Sequence, residues 1–408
     1  MTSVKQKIPN VVVWGAGARC QIVMSAIRKD KCTLKGIVDT NQALYHQYME
    51  CWQIEAPELL IDNTVDYIII STCFGETIWK QCEEMGICKD KIIDYWKTDT
   101  KYEFIDETVK KIFELEREIV ILKRRIENMP YELGLRPCPE IRSSEELLLK
   151  IIREKNSLCR FGDGELELMQ NKERPWFQEV NGQLAKRLKE VFYCKNEKII
   201  IALANNFGSL DYYTEDAADG IRSYLSQGSR ERLMSIIDIN RTYYDAYVSR
   251  PYLIYRKKNR AKDIFKLFQR VWKNREVLLV EGTYACIGVK NDLFQNVVDL
   301  RRIIAPDKNA FSVYDKILEV IHKNIDKDTL VLISLGPTAT VLAYDLAMKG
   351  IQSIDIGQLD NEYEWYIRGV DERVEIPGKC VSELISYRIP DRIADDIYER
   401  QIVARIEN

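Results

Sequence analysis

The run Arg160-Phe161-Gly162-Asp163-Gly164-Glu165 places two carboxylates two positions apart on a glycine-flanked turn. Leu158 and Cys159 before it read as the end of a short buried strand, and Glu165 to Met169 have the residues of a helix start. Glycine tolerates tight turns and close approach of a ligand. An Asp-x-Glu pair on such a turn can aim both carboxylates at one point, which suits a hard divalent cation such as Mn²⁺ or Mg²⁺. Arg160 presents a fork that matches a phosphate. The same residues also suit a plain helix N-terminus whose acids face the dipole, and the rest of the chain decides between the two.

Other polar turns follow apolar strands in the same way. The strand KIIIALA leads to Asn205-Asn206, VLLV to Glu281-Gly282, TLVLIS to Gly336-Pro337-Thr338-Ala339-Thr340, and Ile354-Asp355-Ile356 to Gly357-Gln358-Leu359-Asp360. In open α/β sheets that end of the strands is where ligands bind. Gly336, Thr338 and Thr340 offer amides and hydroxyls to an anion at a helix start, although a proline turn with a threonine cap explains them as well. Asp360, Glu362 and Glu364 alternate, so an extended segment would put them on one side, where Asp360 or Glu362 can act as general base for a hydroxyl, or all can form a solvated acidic loop. Arg250, in Ser249-Arg250-Pro251-Tyr252, is the cation suited to a diphosphate.

Positioning these groups takes more than one domain, since 408 residues exceed a single core. The 60 basic and 63 acidic residues nearly cancel, so no whole-chain polycation is present to hold nucleic acid. No run is long and apolar enough to span a membrane, and the first residues lack the apolar stretch of a secretory signal. The 11 cysteines form no C-x-x-C pair and there are 2 histidines, which points to reduced thiols in a cytoplasmic protein rather than to zinc or disulfides.

Residues 1–97 read as a Rossmann-like domain. The run IPNVVVW is followed by Gly15-Ala16-Gly17-Ala18-Arg19-Cys20, a G-x-G-x-x-G pattern with cysteine third, and the next strand ends in Asp39, where a ribose-binding acid belongs. A nucleotide at Gly15, Gly17 and Asp39 is one option and an empty fold of this type another. WGAG, Asp39 and the pattern EAPELL…DYIIIST together resemble the N-terminal domains of bacterial sugar acyltransferases.

Residues 98–130 differ in kind. Ile105, Ile112, Ile119 and Ile126 recur every seventh residue, and Thr108, Leu115, Leu122 and Met129 follow three places later. Isoleucine at a with leucine at d favours a parallel two-stranded coiled coil, with Lys111 facing Glu116 and Glu118 facing Lys123 of a second copy. A linker helix packed on its own chain is the alternative. Met129-Pro130 is expected to end the helix. The fold class is therefore α/β, two Rossmann-like domains joined by a long helix, with the homodimer formed through residues 101–129.

From Tyr131 to the end, seven stretches taken in order resemble one family, the bacterial GT-D-type glycosyltransferases. They are RFGDGE (160–165), SRPY (249–252), VEG (280–282), GVKNDLF (288–294), RIIAPDKNAF (302–311), GPTATVLAYDLA (336–347) and GQLDNEYEW (357–365). The resemblance implies a nucleotide-sugar donor, commonly a UDP-sugar, a glycan or glycoprotein acceptor, and a divalent cation held by Asp163 and Glu165. It brings Arg160, Gly162, Arg250, Glu281, Asn309, Gly336, Thr338 and Thr340 to the donor, and Asp360 and Glu362 to catalysis. Gln358 stands where members of the family carry histidine, and a neutral amide cannot serve as acid or base near neutrality. The other function open to the chain is an NAD(P)-dependent oxidoreductase or epimerase acting on nucleotide sugars through Gly15, Gly17 and Asp39, although no Tyr-x-x-x-Lys pair accompanies them.

Overall fold

A computed structural model describes residues 8–61, 64–72, 75–96, 101–172, 178–381 and 395–407. The chain divides into two compact units, Met1–Arg125 and Ile126–Asn408. In the first, the elements run β1 (Asn10–Trp14), α1 (Ala18–Ala26), β2 (Thr33–Val38), β3 (Tyr48–Met49), β4 (Trp52–Glu55), α2 (Pro57–Leu60), β5 (Tyr67–Ile70), α3 (Glu76–Glu84) and β6 (Ile92–Asp94). The six strands form one sheet in the order β3-β4-β2-β1-β5-β6, parallel except for the short β3. Alternate residues of β1 go to opposite faces: Val11 and Val13 join one core, Val12 and Trp14 the other. A strand covered on both faces has no polar side to show, hence the unbroken apolar run.

Helix α4 (Glu107–Glu132) begins in the first unit and ends in the second. It starts later than the heptad pattern predicts. Ile105 is not helical but bridges Ile27 and is buried in the first unit's core. Phe113 is buried beside it and stacks on Trp96 at 4.0 Å. Pro130 does not stop the helix, which runs two residues further. Chain reversal follows, with Leu135 N–H bonding the Pro130 carbonyl at 2.8 Å.

The second unit continues with β7 (Glu140–Arg142), α5 (Ser144–Glu154), β8 (Ser157–Phe161), α6 (Asp163–Leu168), α7 (Gly182–Phe192), β9 (Ile199–Leu203), α8 (Glu215–Tyr224), α9 (Ser229–Met234), β10 (Thr242–Asp245) and α10 (Arg260–Trp272). Then come β11 (Glu276–Gly282), β12 (Asp299–Ala305), α11 (Tyr314–Lys323), β13 (Leu330–Ser334), α12 (Pro337–Met348), β14 (Ser353–Asp355), α13 (Leu359–Arg368), α14 (Asp396–Gln401) and β15 (Ile402–Arg405). Its nine strands are all parallel, in the order β15-β12-β11-β13-β14-β8-β9-β10-β7. Cys159, Ile201, Val280 and Ile333 face one core; Leu158, Ile200, Leu279 and Leu332 face the other.

Strand order sets where a ligand can enter. From β8 the chain moves to β9 and then β10 on one side, whereas β11 to β14 fill the other side and end against β8. The loops leaving β8 and β14 therefore diverge, and a crevice opens between these two strands at their carboxyl ends. Helix α12 lies over β8, β13 and β14. It is apolar all round, with Pro337 to Tyr344 buried, as a helix sandwiched against the sheet must be.

The helix before β8 is fixed by its cap. Ser143 Oγ accepts the Glu146 amide and the Glu146 carboxylate accepts the Ser143 amide at 3.0 Å, while Leu147, Leu148 and Ile151 bury the opposite face. Replacing Ser143 with alanine is expected to cost about 1 kcal/mol of the second unit's stability, read as a lowered urea midpoint with an unchanged slope.

Candidate active site

Gly162 leaves β8 extended and caps α6, the short helix that carries the two acids. Glu165 reaches back with Oε2 to the Gly162 amide at 2.9 Å, and Asp163 Oδ1 accepts the Gly164 amide at 2.9 Å. These bonds orient both carboxylates on the first turn, at the carboxyl end of β8 and so at the mouth of the crevice. Burial raises the Glu165 carboxyl above its ordinary value, Asp355 and Asp163 add to the shift, and Arg160 opposes it. The donor set is oxygen only, which fits Mn²⁺ or Mg²⁺. Among the described residues no group of three or more His, Cys, Asp or Glu gathers into a metal site, so substrate or water oxygens would complete the shell around this pair.

Arg160 does not point a free fork at a phosphate. Its Nη2 binds Asp355 Oδ1 at 2.8 Å, Nε binds the Asp355 carbonyl at 3.1 Å, and Nη1 binds Ser249 Oγ at 2.8 Å. The side chain is a cross-tie between β8, β14 and the loop after β10. Thr340 belongs to the same network, with its Oγ1 on the Arg160 carbonyl at 3.0 Å and on Asp355 Oδ2 at 3.3 Å. Thr340 is thus committed, whereas Thr338 Oγ1 is buried with no hydrogen-bond partner, as are Gln358 Oε1 and Asn206 Oδ1. All three sit just past strand ends, at β13, β14 and β9. Gly336 takes φ +52° and Gly357 φ +47°, positions where side chains are disfavoured.

The acids after β14 depart from the extended reading. They lie on α13, so the period is 3.6 and not 2. Asp360 and Glu364 share a face, and Lys379 bridges them at 2.7 and 2.9 Å. Asn291 Nδ2 adds a bond to each at 2.8 Å, and the Gly288 amide one to Asp360 at 2.8 Å. Glu362 faces elsewhere and accepts the Tyr252 and Leu253 amides at 2.9 and 3.1 Å, fixing the chain just after Arg250. A buried carboxylate already holding a lysine or two amides is a strut, and the general-base role for Asp360 and Glu362 is set aside on that ground.

Glu281 is likewise structural. It is fully buried, Oε1 on Arg302 Nη1 at 2.6 Å and Oε2 on the Ile287 amide at 2.7 Å, so no donor can reach it. Asn309 Oδ1 accepts the Glu179 amide at 2.9 Å and tethers the segment before α7. Arg250 is half-exposed beyond β10. A cleft of ≈ 690 Å³ lined by Gln183, Arg187, Glu190, Phe311 and Tyr314 lies along α7 and the start of α11, and neither Asp163 nor Glu165 lines it. In the first unit Gly15 takes φ +109° and Gly17 caps α1, but Asp39 spends its carboxylate on the Ala16 and Asn41 amides, both at 2.7 Å. Both its oxygens are thus used, one of them on the Gly15–Gly17 turn, which it ties to the end of β2.

Sequence reasoning did not single out Asp355, Ser249 or Asn206. Asp355 had a signal: an acid inside the short apolar strand Ile354-Asp355-Ile356 must have a partner when buried.

Nine parallel strands with an acid pair at the switch point define the class, and comparison identifies it. Residues 158–384, more than half of the chain, match the family described as glycosyltransferase GT-D fold, and the chain belongs to that family. A probable glycosyl transferase, Gly, of Streptococcus gordonii is 33% identical over 272 residues, covering 65% of this chain and 38% of the relative. The glycosyltransferase GlyD of Streptococcus pneumoniae serotype 4 is 32% identical over 276 residues, 66% of this chain and 33% of the relative. The chain thus spans little more than a third of the length of these relatives. A solved domain reported to have a distinct glycosyltransferase fold superposes with a TM-score of 0.63 at 35% identity, over 66% of this chain and 96% of that one. Residues 7–93 match a family described as C2185-like, N-terminal, rather than the sugar acyltransferases. No described helix is long and apolar enough to cross a membrane. With the family placed on the second unit and Asp39 occupied, the oxidoreductase alternative is not favoured.

The lysine strut carries a pH signature. Burial would raise Glu364 and lower Lys379, but mutual attraction outweighs it, so Glu364 sits below its ordinary range and Lys379 above its own. A lowered carboxyl stabilises above its unfolded value and loses this on acidification; a raised lysine stabilises until pH climbs through its folded value. Exchange of the Cys380 amide, which donates to the Tyr284 carbonyl at 2.7 Å, should therefore be slow relative to the intrinsic rate near neutrality and lose protection below about pH 4. Lys379→Met should cost roughly 3 kcal/mol in a denaturation experiment, because two buried acids lose their counter-ion.

Proposed function

We propose that this chain is a metal-dependent glycosyltransferase that moves a sugar from a nucleotide-sugar donor, a UDP-sugar, to a hydroxyl of a surface glycan or glycoprotein. The observation that carries the reading is the Asp163–Glu165 pair, oriented by backbone amides at the crevice where the sheet's connections diverge. Family membership supports the transferase class, and the oxygen-only donor set supports a hard cation.

In the reaction the bond from the anomeric carbon to the diphosphate oxygen breaks and its electron pair leaves with the diphosphate. The acceptor oxygen bonds the anomeric carbon, and its proton passes to the departing diphosphate. Charge neutralisation on the departing diphosphate is what Mn²⁺ or Mg²⁺ supplies when bound. Asp163 and Glu165 would hold the ion. Arg250, after β10, is the cation this reading assigns to the diphosphate. Gly336 and Thr338 open α12, whose buried first turn offers a positive helix end. Gln358 can hydrogen-bond but not transfer a proton near neutrality, so an acid–base role at that position is closed to this chain.

Asp163→Ala should lower sugar transfer at least about a hundredfold in buffer with added Mn²⁺. Near-normal transfer by that variant would refute the site.

We also propose that the chain is a homodimer through α4. Ile112, Leu115, Ile119, Leu122, Ile126 and Met129, the a and d positions, stay 44–66% exposed while Phe113 on the other face is buried. Six large apolar groups in one stripe call for a partner, and the g–e pairing of Glu118 with Lys123 suits a second copy in parallel register. Light scattering at micromolar concentration should give twice the chain mass, and Ile119→Lys with Leu122→Lys should give the monomer mass with both units still folded.

A further inference from the structure

Asn206 is 2% exposed, and its Oδ1 has no hydrogen-bond partner. It stands beside the acid pair. Strand β9 is the neighbour of β8 on the side away from β14, with Leu203 paired to Phe161, and the Ala204 amide donates to the Phe161 carbonyl at 3.0 Å. Asn206 lies two residues beyond Ala204, as Asp163 lies two beyond Phe161. The loop that carries it is pinned on both sides. The Asn205 carbonyl accepts from Tyr213 Oη at 2.6 Å, the Phe207 carbonyl from Arg230 Nη1 at 2.7 Å, and the Asn206 amide donates to the Ala204 carbonyl at 2.9 Å. Phe207 is buried in the core, and Asn206 Nδ2 is 3.4 Å from Tyr247 Oη. Only Oδ1 is left unspent. A buried acceptor without a partner costs about 1–3 kcal/mol, and folds tolerate that cost chiefly at functional sites.

We propose that Asn206 is a donor-binding residue: its Oδ1 accepts a hydrogen bond from a hydroxyl of the nucleotide sugar, on the β9 side of Asp163 and Glu165. The chemistry of the orphaned atom selects the group it meets. A side-chain amide oxygen only accepts. Ionised diphosphate oxygens only accept as well, whereas the hydroxyls of the transferred sugar and of the ribose donate. Thr338 and Gln358, also with buried oxygens lacking a partner, lie past β13 and β14, on the opposite side of β8. A substrate bound over the acid pair thus meets open hydrogen-bonding groups on both flanks. The ends of β14 and β9 are two strand spacings apart, about 10 Å, a span that an extended nucleotide sugar covers. The inference rests on the reading of the acid pair as the nucleotide-sugar site.

The test is calorimetric titration of the full chain, with Mn²⁺ present, by UDP and by UDP-glucose, UDP-galactose and UDP-N-acetylglucosamine. Asn206→Ala should bind the tightest of these UDP-sugars about tenfold more weakly than wild type, the loss of one hydrogen bond. UDP itself separates the two sources of the hydroxyl. An equal loss for UDP marks the ribose, and an unchanged UDP affinity marks the transferred sugar. Without ligand, the thermal midpoint of Asn206→Ala should match or exceed that of wild type, because the substitution removes an acceptor that has no partner. A residue kept for stability gives the reverse. A midpoint lowered by about 3 °C or more, or a variant that does not fold, therefore marks a structural asparagine and overturns the inference. Equal affinities of wild type and Asn206→Ala for UDP and all three UDP-sugars also overturn it, and leave Asp163 and Glu165 in place. A wild type that binds neither UDP nor any of these UDP-sugars overturns the donor reading and the inference with it.

Discussion

A parallel sheet covered on both faces leaves only its strand ends for chemistry. In the second unit the central strands β8, β9, β11 and β13 are buried that way, and their side chains alternate between two apolar cores. Every polar group the strands carry must then find a partner within the wall or sit at the carboxyl edge. Arg160 and Asp355 do both. They lie at the last residues of neighbouring strands, and their ion pair closes the gap between β8 and β14 just below the edge. A pair with one member 2% exposed is favourable only when all its hydrogen-bonding capacity is used. Here Thr340, Ser249 and the Gly357 amide use it.

The same constraint separates the acids of this edge into two kinds. Glu281, Asp360, Glu362 and Glu364 are buried and each is held by a cation, by amides or by both. They bind loops to the sheet: Glu281 the turn at Ile287, Asp360 the turn at Gly288, Glu362 the chain after Arg250. Asp163 and Glu165 differ. Their carboxylates accept amides of their own turn and are thereby oriented by the start of α6. An oriented pair of carboxylates is what a cation site requires.

Much of this was legible in the sequence. The apolar runs that became β1, β5, β8, β9, β11 and β13 were plain because strands buried on both faces carry no polar residues. The turn at 160–165 was legible because glycine and acid residues interrupt such a run. Strands β7, β10, β12 and β15 were not read as strands, since Glu140, Asp245, Arg301, Arg302 and Arg405 mix charge into segments at or near the flank of the sheet. Spacing alone also did not distinguish helix from strand over Asp360–Glu364. Alternate acids look like one face of a strand, and the odd-numbered Leu359, Tyr363 and Trp365 would form its other, buried face, so the pattern fits a strand as well as the helix that the structure shows.

Ile105 shows where periodicity stops being evidence. Its spacing from Ile112 continues the heptad, but its backbone pairs with Ile27 and its side chain fills the first unit's core. The remaining a and d residues carry the same spacing and stay exposed. A seven-residue repeat records only that apolar residues recur; what covers them depends on whether the chain offers a closer core. At 105 it does. From 112 to 129 the helix already spends its other face, Phe113 on Trp96 and Asn128 on Ser226, within one or other unit. The stripe is therefore not surplus from a poorly packed helix. It is a second apolar face on a helix whose first face is in use, and a helix with both faces apolar is stable in water only if both are covered.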